Sequence, residues 1–162
     1  MKDENAKTQS LLFFQRLSLV LFQNNEEESQ RCREHFFHLL LAKLDFINQL
    51  QALHYSVQEP APDFVSFEYE IPVGKFTGQK VWLGLQVLDS FPMNAPPGPH
   101  FKPHLLPVSG GGGVHPYGAI HASPLGADWQ YWSRPFNNEW NKTDKTVKSY
   151  LAHIRNLFAT II

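Results

Sequence analysis

The residues equipped for chemistry crowd into one stretch, His115 to Arg134, where His115, His121, Ser123 and Asp128 stand among Pro116, Tyr117, Trp129, Tyr131 and Trp132. Imidazole is the commonest general base and metal ligand, and a hydroxyl becomes a nucleophile when a base sits beside it. Acyl hydrolysis would need Ser123 with His121 or His115 and Asp128. No Gly-x-Ser-x-Gly elbow surrounds Ser123, and residues two apart in an extended segment point opposite ways, so the sequence disfavours that pairing. For a metal, His100, His104, His115 and His121 are the candidates. The His100-x-x-x-His104 spacing occurs in ligand pairs, but Pro103 rules out a helical turn and no acidic residue follows until Asp128. Loop histidines bonded to backbone are the preferred reading, and no metal or cofactor is expected. Arg31 and Arg33 flank the single thiol, Cys32. Neighbouring cations favour a thiolate, yet a lone cysteine on a helix reads more simply as inert or half-buried.

The elements that position these groups follow from periodicity. The His115–Arg134 stretch has neither helical nor strand period, but it is too aromatic for a solvated linker. It reads as an ordered, packed loop, and such loops are usually functional because holding them still costs entropy. Ser109 to Gly113, a serine followed by glycines, precedes it as a hinge or loop tip. No strand–loop–helix with Gly-Lys-Ser/Thr surrounds those glycines, so they are not read as a phosphate cradle. After Phe136–Trp140, Thr143 or Asp144 is expected to cap a closing helix from about Lys145 to Ala159, with Val147, Tyr150, Leu151, Ile154, Leu157 and Phe158 buried.

Upstream, residues 8 to 23 are apolar on nearly every side of a helix. That helix must be covered, by its own domain as the simpler reading or by another chain. A second helix is expected from about Glu28 to Leu53, its core stripe Phe36, Leu39, Leu40, Lys43, Leu44, Ile47, Leu50 and Leu53. Beyond Pro60 and Pro62 the pattern turns to strand. Val65, Phe67, Tyr69 and Ile71 alternate with polar residues, Val81, Leu83, Leu85 and Val87 repeat the alternation, and Trp82 falls on the opposite face, predicting two antiparallel strands. The prolines between Phe91 and Phe101 predict an extended connection rather than a strand interior. A third strand is expected near His104 to Val108.

The totals bound the rest. With 162 residues, 43% hydrophobic and 14% aromatic, the chain can fill a single α+β core. A net charge of −1 and a pI near 6.7 leave no basic footprint for nucleic acid or an anionic membrane. One cysteine excludes an internal disulfide framework, and the polar amino terminus predicts neither a signal peptide nor a span, so a cytoplasmic protein is expected.

The order of motifs resembles the ubiquitin-conjugating enzyme (UBC) fold, an antiparallel meander flanked by helices. The likeness runs from roughly residue 28 to 160: a leading helix, the meander, Phe91-Pro92 with Pro96-Pro97-Gly98-Pro99-His100-Phe101, then His115-Pro116, Gly118-Ala-Ile120, Trp129 and a terminal helix. Bacterial relatives carry a Trp-Gln-x-Trp-Ser-Arg run, here Trp129 to Arg134. The resemblance divides the chain into a helical extension, residues 1–27, and a UBC-like domain, residues 28–162. It also places His121 where the family's thioester cysteine stands, with His115, Pro116, Ser123 and Trp129 nearby. A thioester relay needs a thiolate. The implied function is therefore a noncatalytic module that binds a ubiquitin-like protein and an activating or active conjugating enzyme, in systems of the antiphage kind. The alternative is an active enzyme whose cysteine is substituted, at Ala119 or Ala122, or unusually placed. Partner contacts are expected at Pro97, His100, Phe101, Trp132 and Arg134, and an oligomer or partner chain through residues 8 to 23 is left open.

Overall fold

A computed structural model describes residues 28–108 and 119–161. The chain divides into two compact units, Met1–Phe37 and His38–Ile162. The readings made for residues 8–23, Ser109–Gly113, His115 and Pro116 lie outside the described residues.

Helix α1 covers residues 28–52. One six-stranded antiparallel sheet follows, from β1 (Gln58–Ala61), β2 (Phe64–Glu70), β3 (Lys80–Gln86), β4 (His100–Lys102), β5 (Ile120–Ala122) and β6 (Gln130–Trp132), in the order β1-β2-β3-β4-β6-β5. A single turn, α2 (Asn137–Trp140), precedes the closing helix α3 (Val147–Ala159). The fold is the expected α+β arrangement.

The alternation read from sequence sets the sheet. Val65 pairs with Leu85 and Tyr69 with Val81, which puts Val65, Phe67, Tyr69, Val81, Leu83 and Leu85 on one buried face. Glu68, Trp82 and Lys102, directly opposite one another, form a row on the outer face. Helix α3 seals the inner face, its Phe158 ring 5.2 Å from Phe101 and 5.3 Å from Trp132. Its buried residues are Val147, Tyr150, Ile154 and Phe158, whereas Leu151 and Leu157 are only partly covered. The cap is Thr146, whose hydroxyl accepts from Ser149 N, rather than Thr143 or Asp144.

Three expectations are corrected. On α1 the buried residues are Ala42, Lys43, Phe46 and Leu50, while Phe36, Leu40, Leu44 and Leu53 are exposed. The helix is apolar on two faces, and a period of 3.6 cannot say which one meets the core. The buried Lys43 is satisfied: its ammonium donates to Ala61 O at 3.3 Å and Pro62 O at 2.7 Å and lies 2.7 Å from Glu59 Oε2. It pins the β1–β2 hairpin to α1. Next, the third meander strand is His100–Lys102 and not His104 to Val108. Downstream of it the Leu106 N–H is taken by the Gln130 side chain at 3.4 Å, so the backbone there does not join the ladder. Finally, the aromatic stretch is not all loop, since it contributes β5 and β6. Strands of three residues are too short to display a period of two.

Candidate functional site

The strand register builds a row of groups across the outer face of the sheet. Gly84 pairs with His100, His100 with Tyr131, and Tyr131 with His121. The His100 ring stacks on Tyr131 at 4.7 Å and meets the edge of Phe64 at 5.1 Å, and Tyr131 lies 6.1 Å from His121. Residues 123–129 fold back over this row in two turns, closed by Gly126 N to Ser123 O at 3.3 Å and Trp129 N to Gly126 O at 3.1 Å. The loop can lie there because residue 84 has no side chain. A Cβ on Gly84 would stand 2.8 Å from Leu125 Cδ1 and 3.0 Å from Trp129 Cζ3.

Under that cover His100 is only 4% exposed. Desolvation disfavours its charged form and lowers its pKa from 6.5 to about 4, so it is neutral near pH 7. Its Nδ1 lies 2.8 Å from Ser123 Oγ, and the same Oγ accepts from Leu125 N at 3.1 Å. The hydroxyl keeps a second lone pair and its proton, so which of the two side chains donates follows from which ring nitrogen of His100 carries the hydrogen. The histidine beside Ser123 is thus His100 from strand β4 rather than the expected His121, and His115 lies outside the described residues. Asp128 does not complete a triad, because its carboxylate lies 3.4 Å from Lys102 Nζ. The arrangement is a hydroxyl held between a neutral imidazole and a turn amide, a geometry that fastens the loop.

His121 sits half-buried on the sheet's edge strand β5. Ala119, just before that strand, has φ +57°, a left-handed backbone uncommon for a residue with a side chain. Among the described residues, no three of His, Cys, Asp and Glu converge as metal ligands. His104, four residues beyond His100, instead lines a separate cleft with Lys80, Trp82 and Lys102. Cys32 is exposed rather than half-buried. It belongs to the unit Met1–Phe37, whereas His121 belongs to His38–Ile162.

The expected partner contacts are corrected by burial. Phe101 is fully enclosed and Trp132 nearly so, because both point inward on their strands, and His100 lies beneath the 123–129 loop. No partner can touch these three side chains directly. Pro97 is half-buried and its carbonyl accepts from the Tyr150 hydroxyl. Arg134, also half-buried, donates from Nη1 to Ser133 O at 3.0 Å. Trp129 is nearly buried over Gly84.

The accessible surface of this region lies beside the proline-rich segment. A groove of about 310 Å³ runs between Met93–Pro97 and Pro135–Asn141, with Met93 two-thirds exposed on its rim. Its walls are firm. Trp140 Nε1 donates to Pro92 O at 3.0 Å, and Gly98 lies so close to the strand end that a Cβ there would fall 1.8 Å from Trp132 O. Sequence reasoning singled out the prolines and missed Met93, which carries no signal of its own.

No curated protein and no solved structure matches the chain. A family model described as prokaryotic E2 family E matches residues 45–160, which spans α1 from Asp45, the whole sheet and the closing helix. With most of its length so matched, the chain belongs to the prokaryotic E2 family, as a bacterial ubiquitin-conjugating-enzyme-like protein that lacks the usual active-site cysteine.

Proposed function

We propose that this protein is a noncatalytic member of a bacterial ubiquitin-like modification pathway, one that binds a ubiquitin-like protein and the activating or active conjugating enzyme that handles it. The observation that carries this reading is chemical. Relay of an activated carboxyl terminus requires a thiolate that is both nucleophile and leaving group. The only thiol, Cys32, belongs to a different unit from His121, which stands at the position the resemblance assigns to the cysteine. Imidazole there accepts an acyl group only fleetingly.

The firm groove beside Met93 supports a binding role. It offers an exposed thioether and proline faces on a backbone that needs no reordering, which lowers the entropy cost of association. In this reading residues 1–27 extend the domain formed by 28–162, and the pathway is cytoplasmic and of the antiphage kind. The test is co-purification of the full chain with the ubiquitin-like protein and its activating enzyme. The account expects a complex without a covalent link, weakened at least about tenfold by Met93→Glu.

One observation favours a second reading, an active enzyme with an unusual nucleophile: the contact between Ser123 and neutral His100. A hydroxylamine-sensitive adduct that disappears in Ser123→Ala would establish that reading in place of the first.

A further inference from the structure

Helix α1 has a second apolar face that its own core does not use. Ala42, Phe46 and Leu50 are buried on one side, while Phe36 is 66% exposed, Leu40 and Leu44 53% each and Leu41 48%. These four side chains present about 400 Å² of apolar surface, as much as the largest patch of an ordinary monomer. Along the helix Arg33, Phe36, Leu40, Leu44, Ile47 and Gln51 recur at spacings of three and four, so they form one continuous stripe. The stripe has a cation at one end, Arg33, a neutral amide at the other, Gln51, and no charge between them.

Area and pattern together identify what covers it. Pairing with its own copy buries the face twice, about 800 Å² from these apolar side chains alone, and the polar ends of the stripe bring the total near the roughly 1,000 Å² that a specific interface needs. A two-fold interface must also be complementary to itself, and the stripe meets that condition when the helices run antiparallel. Leu40 then lies level with Leu44 of the copy, Phe36 packs beside its Ile47 and Asn48, and the Arg33 guanidinium reaches the amide oxygen of its Gln51. Parallel helices would instead set Arg33 against Arg33 on the seam, which like-charge repulsion disfavours.

We propose that two copies of this chain associate through this stripe, their α1 helices side by side and antiparallel. An interface of this size gives a dimer of about micromolar affinity. The helix alone carries the proposal, which stands apart from the pathway reading above.

The test measures the mass of the full chain by light scattering and a distance between two copies by spin labelling. At about 100 µM the mass is twice 18.6 kDa. Cys32 is the only thiol and is exposed, so a nitroxide placed there reports a distance only where a second copy is present. In the antiparallel register the two labels stand about 30 Å apart, given the helical rise of about 1.5 Å per residue. The double variant Leu40→Glu, Leu44→Glu returns the mass of one chain and removes the distance, while its helical circular dichroism persists because both side chains lie outside the core. Gln51→Lys, which opposes Arg33 of the copy, loosens the dimer about threefold, and adding Arg33→Glu restores it. Restoration cannot come from a damaged fold, so the charge swap separates association from stability. The mass of one chain for the native protein, its own residues 8–23 then covering the face, overturns the proposal. So does a dimer that survives the double variant, a charge swap without rescue, or a label distance below about 20 Å, the mark of parallel helices packed about 8 to 10 Å apart.

Discussion

Ser123 Oγ lies 2.8 Å from His100 Nδ1, and this contact fastens the 123–129 loop to a histidine that burial keeps neutral. The pKa of His100 falls from 6.5 to about 4 on folding. Between those values the unfolded chain binds a proton that the native protein does not. The stability linked to this group is therefore fully present above about pH 6.5 and is lost as the pH falls towards 4, by roughly 3 kcal/mol in all. His153, also lowered by burial although Arg134 O accepts its Nε2–H at 3.0 Å, adds a loss of the same sign. Urea midpoints at pH 7 and pH 4.5 measure the drop. His100→Gln is expected to flatten it, and an unchanged slope would assign the drop to other groups.

Two glycines carry different kinds of constraint. A Cβ on Gly98 meets backbone, Trp132 O at 1.8 Å and Arg134 N at 2.8 Å, so strand β6 or the proline-rich segment must move. Gly98→Ala is expected to cost about 3 kcal/mol or more. On Gly84 the nearest atom is the end of a leucine side chain, which can turn away. Gly84→Ala is expected to cost about 1 to 2 kcal/mol and to speed amide exchange in residues 123–129 while the rest of the sheet stays protected.

How much of this was legible in the sequence depends on the length of each element. Strands β2 and β3 run seven residues each, long enough for Val65 to Ile71 and Val81 to Val87 to display their alternation, and the α3 stripe through Tyr150 and Ile154 was equally plain. Strands β4, β5 and β6 have three residues each, and only pairing with neighbours defines them. That is also why His100 was not matched with Ser123: the two meet through the long-range register of β4 beside β6, while reasoning along the chain tried His121 and His115. On α1, Leu40 and Leu44 carry the same hydrophobic signal as Phe46 and Leu50, and only the tertiary contact chooses between the two faces.

Lys43 is a polar anchor inside an apolar contact. Its ammonium serves Ala61 O, Pro62 O and Glu59, so truncation leaves two carbonyls without their donor and a carboxylate without its cation. Lys43→Ala is expected to destabilise by about 2 to 3 kcal/mol. Lys43→Met, which keeps the aliphatic stem, is expected to cost less. Equal losses in denaturant melts would mean that the contacts of the ammonium, and not packing of the stem, hold the β1–β2 hairpin.

The central claim is a conjugating-enzyme fold that works without a covalent acyl intermediate. Intact mass spectrometry of the full chain tests it directly, after incubation with the activating enzyme, ATP and the ubiquitin-like protein and without reducing agent. The account predicts the unmodified mass, together with co-elution of the partners under native conditions. A mass increased by one ubiquitin-like protein, on Cys32, His121 or Ser123, would contradict it.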